Sequence, residues 1–334
     1  MHHFTRGRRL LGLVAVALTL ALMGSTTAQA ANPFPRTIKF GQIGQPNSFP
    51  AAFASALLNP GKSPAGANDW SCRPSAQHPY PVVLIHGTWE NAYNNWNGLA
   101  PILKDQGYCV YALNYGNTGI PALNGTADLV QSAGEIGPFV DQVLAASGAS
   151  QVDLIGHSQG GAQARYYTNL LGGAPKVNQV IGLAPSSRPT TLSGITELGK
   201  MIHLFGAAMT GLQLAQMPAA AQQADQSPNP QAPFYRNLND NGETVAGERY
   251  VTIATRNDEV VTPYQRAFVT AGPGAVVENI TIQDVCLIDQ SEHVSLPYSK
   301  NVAQIVLNKL DPNDVRPILC YAQAPVTGNT QLFG

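Results

Sequence analysis

Charge is what this 334-residue sequence has least of. Asp, Glu, Lys and Arg make up 12% of it and sum to a formal net charge of -1, against ~25% charged residues in ordinary soluble domains. With no basic excess, nothing electrostatic argues for nucleic acid as a partner. No C-x-x-C spacing and no Cys/His cluster is present, which removes the usual structural zinc patterns, and no group of carboxylates suggests a structural calcium site. Long apolar runs are scarce too. Leu10 to Met23 is too short to cross a bilayer comfortably, which takes ~20 residues. Arg6, Arg8 and Arg9 precede that run and Ala28-Gln29-Ala30 follows it. This is the layout of a secretory signal with an A-x-A cleavage site. Residues 1–30 are therefore expected to be a signal peptide, with an uncut anchor as the competing reading. The pair Arg8-Arg9 leaves twin-arginine export open. The mature chain is expected outside the cell, with no transmembrane segment.

What remains is long enough for one large domain. Residues 31–77, rich in Pro, Ala, Asn and Gly, show no sustained period and read as an irregular N-terminal segment. From residue 78 to 334 the pattern is that of one domain. "PVVLIHG" is a continuous apolar run ending in Gly, as expected of a strand buried on both faces. "YCVYALNYG", "QVDLIGHS", "KVNQVIGLAP" and "RYVTIATRND" are further strands, and "ENITIQD" is strand-like. Between them lie helical spacings, in 101–106, 127–146 and from 159 through Leu171. Strands alternating with helices predict an α/β fold, a mostly parallel central sheet with helices on both faces. Residues 186–233 break the rhythm, being far longer than an ordinary connection. Met201, Leu204, Phe205, Ala208, Met209 and Leu212 recur there at i, i+3, i+4 spacing. A cap insertion is expected, its apolar face around Met201, Phe205 and Met209 resting over the site. One more core-facing helix is the alternative.

The site reading starts from "LIGHSQGGAQARYY". G-x-S-x-G alone is weak, but here Ser158 follows a strand and opens a helix, the context of a nucleophile elbow. A serine hydroxyl is inert at neutral pH without a base. In this class of fold the acid and then the histidine follow the serine in the chain. His203 and His293 are the histidines after Ser158. His203 lies inside the expected cap, which leaves His293, in "DQSEHVSLPYS". Between them, Asp258 directly follows a strand at the edge where Ser158 emerges, with Glu259 and Asp284 as alternatives for the orienting acid. Backbone N–H groups of Thr88, after Gly87, and of Gln159 would form the oxyanion hole, with the Thr88 hydroxyl as a further donor. His86 is read as shaping that loop. The chemistry needs no cofactor and no metal.

Taken together, "PVVLIHGTWENAYNNW", "GYCVYALNYG", "GHSQGG", "DEVVTP" and "EHVSLP" resemble the secreted actinobacterial lipases of the lipase class 2 type, within the α/β-hydrolase superfamily. The resemblance runs from about Trp70 to Cys320. It implies Ser158 as nucleophile, Asp258 as acid, His293 as base and a carboxylic ester, often an acylglycerol, as substrate, met at a lipid–water interface. A polyester or cutin-type depolymerase with the same machinery and a non-catalytic surface-binding protein on the same scaffold are the alternatives; a peptidase finds no amine-recognising pocket in the sequence. Four cysteines, Cys72, Cys109, Cys286 and Cys320, permit three pairings. Cys109 lies in the second expected strand, near the strand that follows Cys72, while Cys286 and Cys320 bracket the histidine loop and final helix. Local closure therefore predicts Cys72–Cys109 and Cys286–Cys320.

Overall fold

The computed structural model describes residues 1–2, 32–39, 46–204, 206, 209–210, 213–214, 216–224 and 233–329. The chain divides into two units, Met1–Ala30 and Ala31–Gly334. Residues 3–30, and with them the expected signal peptide, lie outside the described residues.

Six strands form one sheet: β1 (Val82–Ile85), β2 (Val110–Leu113), β3 (Val152–His157), β4 (Val177–Leu183), β5 (Arg249–Ala254) and β6 (Val276–Thr281). Their order is β2-β1-β3-β4-β5-β6 and every neighbouring pair is parallel. The helices before and between them include α1 (Phe49–Leu58), α2 (Ala92–Trp96), α3 (Leu99–Asp105), α4 (Leu129–Ala133), α5 (Ile136–Ser147), α6 (Gln159–Leu170) and α7 (Leu192–Leu204). A parallel sheet must be covered on both faces, and alternation along the strands does this here. Val82 and Leu84 pack in a layer with Leu99, Leu103 and the helix Lys300–Leu310. Val83 and Ile85 pack on the other side with Ile136, Val140, Ala164 and Tyr167 of α5 and α6. The strand order reverses between β1 and β3, so the loops that follow these two strands meet at the carboxyl edge of the sheet.

The expected sheet is therefore present, with four local differences. Residues 31–77 are not wholly irregular: α1 buries Phe49, Ala52, Phe53 and Ala56, an i, i+3, i+4, i+7 face. Pro50 stands in its first turn, where a missing N–H costs nothing, and the polar, Gly-rich flanks hide the short period. The helix expected over 127–146 is two helices, parted around Gly134. "ENITIQD" ends as a strand at Thr281 and turns helical over Ile282–Val285, so Asp284 sits on that helix and pairs with Arg256 on the surface.

The fourth difference concerns the 186–233 stretch. It holds α7 and the helix Pro218–Gln223, but its deepest face is not the one expected. Ile195, Leu198 and Ile202 are the buried hydrophobic side chains described in α7, while Met201 and Met209 sit at the cluster's margin and Leu204 is exposed. Phe205, Ala208 and Leu212 lie outside the described residues. Ile195, Leu198 and Ile202 pack with Phe49 and Phe53 of α1, with Trp89, and with Val260 and Val294. The two disulfides are Cys72–Cys109 and Cys286–Cys320. Among the described residues no helix is long and apolar enough to cross a membrane, and no cluster of His, Cys, Asp and Glu could hold a metal ion.

Candidate active site

Register brings the relevant loops together. Ile85 at the end of β1 pairs with Gly156 near the end of β3, so the chain after each strand emerges side by side. Leu183 of β4 pairs with both His157 and Ile253, which places the loops after β4 and β5 at the same edge. Gly87, Thr88, Ser158, Gln159 and Asp258 all follow strand ends there.

Ser158 sits between β3 and α6 with φ 52° and ψ −123°. That is a left-handed, strained conformation for a residue with a side chain, worth ~1–3 kcal/mol, and the surroundings hold it. Its N–H donates to Leu183 O at 2.9 Å, and its carbonyl accepts from Gly161 N at 3.1 Å and Ser186 N at 3.0 Å. The flanking glycines are required by contact. A Cβ on Gly156 would stand 2.3 Å from Gly160 O, and one on Gly160 would stand 2.1 Å from Ile85 O. No side chain fits at either place, so β3, β1 and α6 touch backbone to backbone. Ser158 is 3% exposed and His293 0%, so the site is covered.

His293, in the loop before helix Lys300–Leu310, turns Nδ1 to both oxygens of Asp258, at 3.0 and 3.1 Å. Asp258 is itself held, its Oδ1 accepting from Val260 N at 3.0 Å and Val261 N at 2.7 Å. Facing a carboxylate, Nδ1 carries the proton, and Nε2 has no hydrogen-bond partner among the described residues. The Ser158 hydroxyl is not hydrogen-bonded to it. Burial pushes the His293 pKa down, but the Asp258 carboxylate, with Glu259 and Glu292 beyond it, outweighs burial and lifts it to about 9. Neither alternative acid faces the ring in this way. Burial and the Glu292 carboxylate raise Glu259 to about 8, and Asp284 is on the surface.

On the opposite side lies the loop after β1. A Cβ on Gly87 would fall 3.1 Å from Ser158 Cβ and 2.7 Å from Glu90 Oε2, so this residue must be small for the loop to approach the serine. Thr88 and Gln159 are buried, and their backbone N–H groups have no hydrogen-bond partner among the described residues. Trp89, next in the chain, has φ 60°, a second left-handed position beside the site. His86 donates from Nδ1 to Gly87 O, 2.8 Å away, and its ring stacks on Tyr115.

The sequence reading missed a buried network of three residues, His157, Glu90 and Asn95. His157, buried beneath Ser158, points Nε2 at the carbonyl of His293, 2.9 Å away. A carbonyl can only accept, so Nε2 carries the proton. Its Nδ1 lies 3.2 Å from Glu90 Oε2 and 2.8 Å from Asn95 Nδ2. Glu90 Oε2 and Asn95 Oδ1 also accept from Gly87 N, at 3.0 and 3.2 Å. One imidazole thus ties the serine turn, the loop after β1 and the histidine loop together. The signal available was a histidine directly before the serine, with no second motif to say what it meets.

Comparison with known proteins fits this geometry. A triacylglycerol lipase from Pseudarthrobacter phenanthrenivorans is 39% identical over 93 residues, 26% of this chain and 27% of its own. One from Burkholderia plantarii is also 39% identical over 93 residues, 26% of this chain and 24% of its own. The chain therefore matches about a quarter of the length of these relatives. Aspergillus fumigatus lipase B superposes with a TM-score of 0.53 at 18% identity, over 87% of this chain and 68% of that one, which establishes the α/β-hydrolase fold. Residues 79–304 match the family model for lipase (class 2), and that span covers both strand-end loops and the histidine loop: the chain belongs to the class 2 lipase family.

Proposed function

We propose that this protein is a carboxylic ester hydrolase that works through an acyl-enzyme on Ser158. The observation that carries the reading is the His293–Asp258 pair. Its Nδ1 proton is held by two carboxylate oxygens and its Nε2 is left unpartnered in a covered site, at the sheet edge where Ser158 stands in a strained turn. As His293 Nε2 takes the hydroxyl proton, Ser158 Oγ forms a bond to the ester carbonyl carbon. The carbonyl π electrons move to oxygen, which the Thr88 and Gln159 N–H groups receive. Collapse expels the alcohol, to which His293 returns the proton. Water then attacks the acyl carbon with His293 again as base, freeing the acid and Ser158.

Acylglycerols are the proposed substrate class. The apolar cluster joining α7, α1, Trp89, Val260 and Val294 borders both the loop after β1 and the Asp258 and His293 loops. Two disulfides and the apolar run behind Arg8-Arg9 support action outside the cytoplasm. The test is a chain-length series of p-nitrophenyl esters below and above their solubility limits, with dispersed polyester in parallel and Ser158→Ala as control. Turnover of medium and long esters, absent in the control, is expected. Faster release from polyester than from any acylglycerol would favour a depolymerase. No turnover of any ester would leave a binding protein on this scaffold.

A further inference from the structure

We infer that Gln223, carried by the cap helix Pro218–Gln223, is a positioning residue that aims the Thr88 hydroxyl proton at the developing oxyanion. The inference rests on the reading of Ser158 as nucleophile and adds a positioning residue, Gln223, that neither the motifs nor the family match assigns.

Hydrogen-bond direction makes the argument. One end of the Gln223 amide lies 3.1 Å from Ala219 O and 2.8 Å from Thr88 Oγ1. A backbone carbonyl can only accept, so that end is the NH2 group, and the Thr88 oxygen must accept from it. The other end is Oε1, which accepts from Ser186 Oγ at 3.2 Å. The Gln223 carbonyl in turn accepts from Thr190 N at 2.8 Å, so the side chain is held at its backbone and at both amide ends. Gln223 and Thr88 are 2% and 1% exposed, so neither side chain faces bulk water.

With a lone pair of Thr88 Oγ1 occupied, the hydroxyl has one proton and a restricted choice of directions. The acceptor it faces is Gln159 Oε1 at 3.4 Å, a long and weak contact. A negatively charged oxygen beside the Thr88 and Gln159 N–H groups is a far better acceptor, so the proton turns to it without breaking a strong bond. Accepting from Gln223 also polarises the hydroxyl and strengthens what it donates. The same bond ties part of the cap to the site. Next to it, Gln222 donates to Asp128 Oδ2 at 2.7 Å and accepts from Leu129 N at 2.9 Å. The helix Pro218–Gln223 is therefore fastened to the frame by two adjacent side chains.

A double-mutant cycle on kcat and KM for a short soluble p-nitrophenyl ester tests this. Gln223→Met keeps bulk and removes the donor. It should lower kcat about five- to tenfold, a fraction of what losing a whole oxyanion donor costs, with KM within about twofold. In a Thr88→Val background, where no hydroxyl remains to be aimed, adding Gln223→Met should change kcat by less than about twofold. Thr88→Ser should restore the sensitivity. Gln223→Glu has the same shape but can only accept, so it should capture the Thr88 proton and lower kcat further than Met does. It also serves where the Met variant fails to fold. Unchanged kcat in either folded Gln223 variant, or an equal loss in the Thr88→Val background, overturns the inference. An active wild type with an unaffected variant overturns it alone, whereas a wild type that hydrolyses no ester overturns the ester-hydrolase reading with it.

Discussion

The frame around Ser158 and the cap around α7 hold themselves in opposite ways. In the frame, backbone meets backbone: Gly156 and Gly160 leave no space for a methyl group, and paired strands fix where each loop begins. In the cap, side chains do the holding. An apolar cluster of Ile195, Leu198, Ile202 and Met217 joins α1 and Trp89, and Gln222 and Gln223 fasten one helix. Geometry built from backbone tolerates almost no substitution but owes nothing to side-chain identity at Ser158. Geometry built from packing accepts many hydrophobic sequences and depends on the few polar pairs that set its register.

The sharpest way to break this comparison is at the serine. Ser158→Ala should cost on the order of 10⁶ in kcat while leaving the thermal melt where it was, since the turn is held through main-chain bonds. A melt that drops with the activity would mean the hydroxyl is structural. Asp258→Asn comes next. Its amide cannot hold the His293 tautomer, and kcat should fall ~10⁴-fold with the Michaelis constant nearly unchanged. Third, Gly160→Ala should destabilise the fold by more than about 3 kcal/mol, because its methyl group meets Ile85 O with no flexible atom able to yield. Urea unfolding measures it. In the cap, Leu198→Ala should cost ~2–4 kcal/mol of local packing. It should appear as faster proteolysis within 186–233 and hardly at all in the urea midpoint of the sheet. An equal shift in both would dissolve the distinction between frame and cap.

pH sharpens the comparison more gently. His293 holds its proton up to about 9 in the folded protein against an ordinary value of 6.5. Its stabilising contribution is complete below about pH 6.5 and is lost as pH rises through 9. Glu259, raised to about 8 from 4.5, also favours the protonated folded state, so its contribution fades between those values. Ester hydrolysis, which needs His293 unprotonated, should reach half its alkaline maximum near pH 9 while the melting temperature falls over the same range. A pH–rate profile beside a pH series of melts reads both, and Asp258→Asn should shift the rate midpoint downwards.

Legibility followed the same division. Strands buried on both faces read as unbroken apolar runs, and a serine between glycines that cannot bear side chains leaves a visible pattern, so the sheet and its edge residues could be read from spacing alone. Asp258 stood out because it lies in the short turn just after β5, which ends at Ala254. What could not be read depends on contacts distant in the chain. The face of α1 spans two turns among Pro- and Gly-rich flanks, too short to declare itself. His157 meets His293, 136 residues away, and Gln223 meets Thr88, 135 residues away, in bonds that no local pattern announces. In the cap, Met201 and Met209 satisfied the helical period, but which stripe faces inward was decided by Phe49, Phe53 and Trp89.

The bridges Cys72–Cys109 and Cys286–Cys320 span 37 and 34 residues, while roughly half the chain separates Cys109 from Cys286. Were the chain oxidised as it is synthesised, at ~5–20 residues per second, the first two thiols would meet some ten seconds or more before the third arrives. An oxidant met on the way then makes the native pair by default, and the later two are left with each other. Correct pairing becomes a matter of timing, and a full-length chain oxidised all at once, as after refolding from denaturant, loses that advantage.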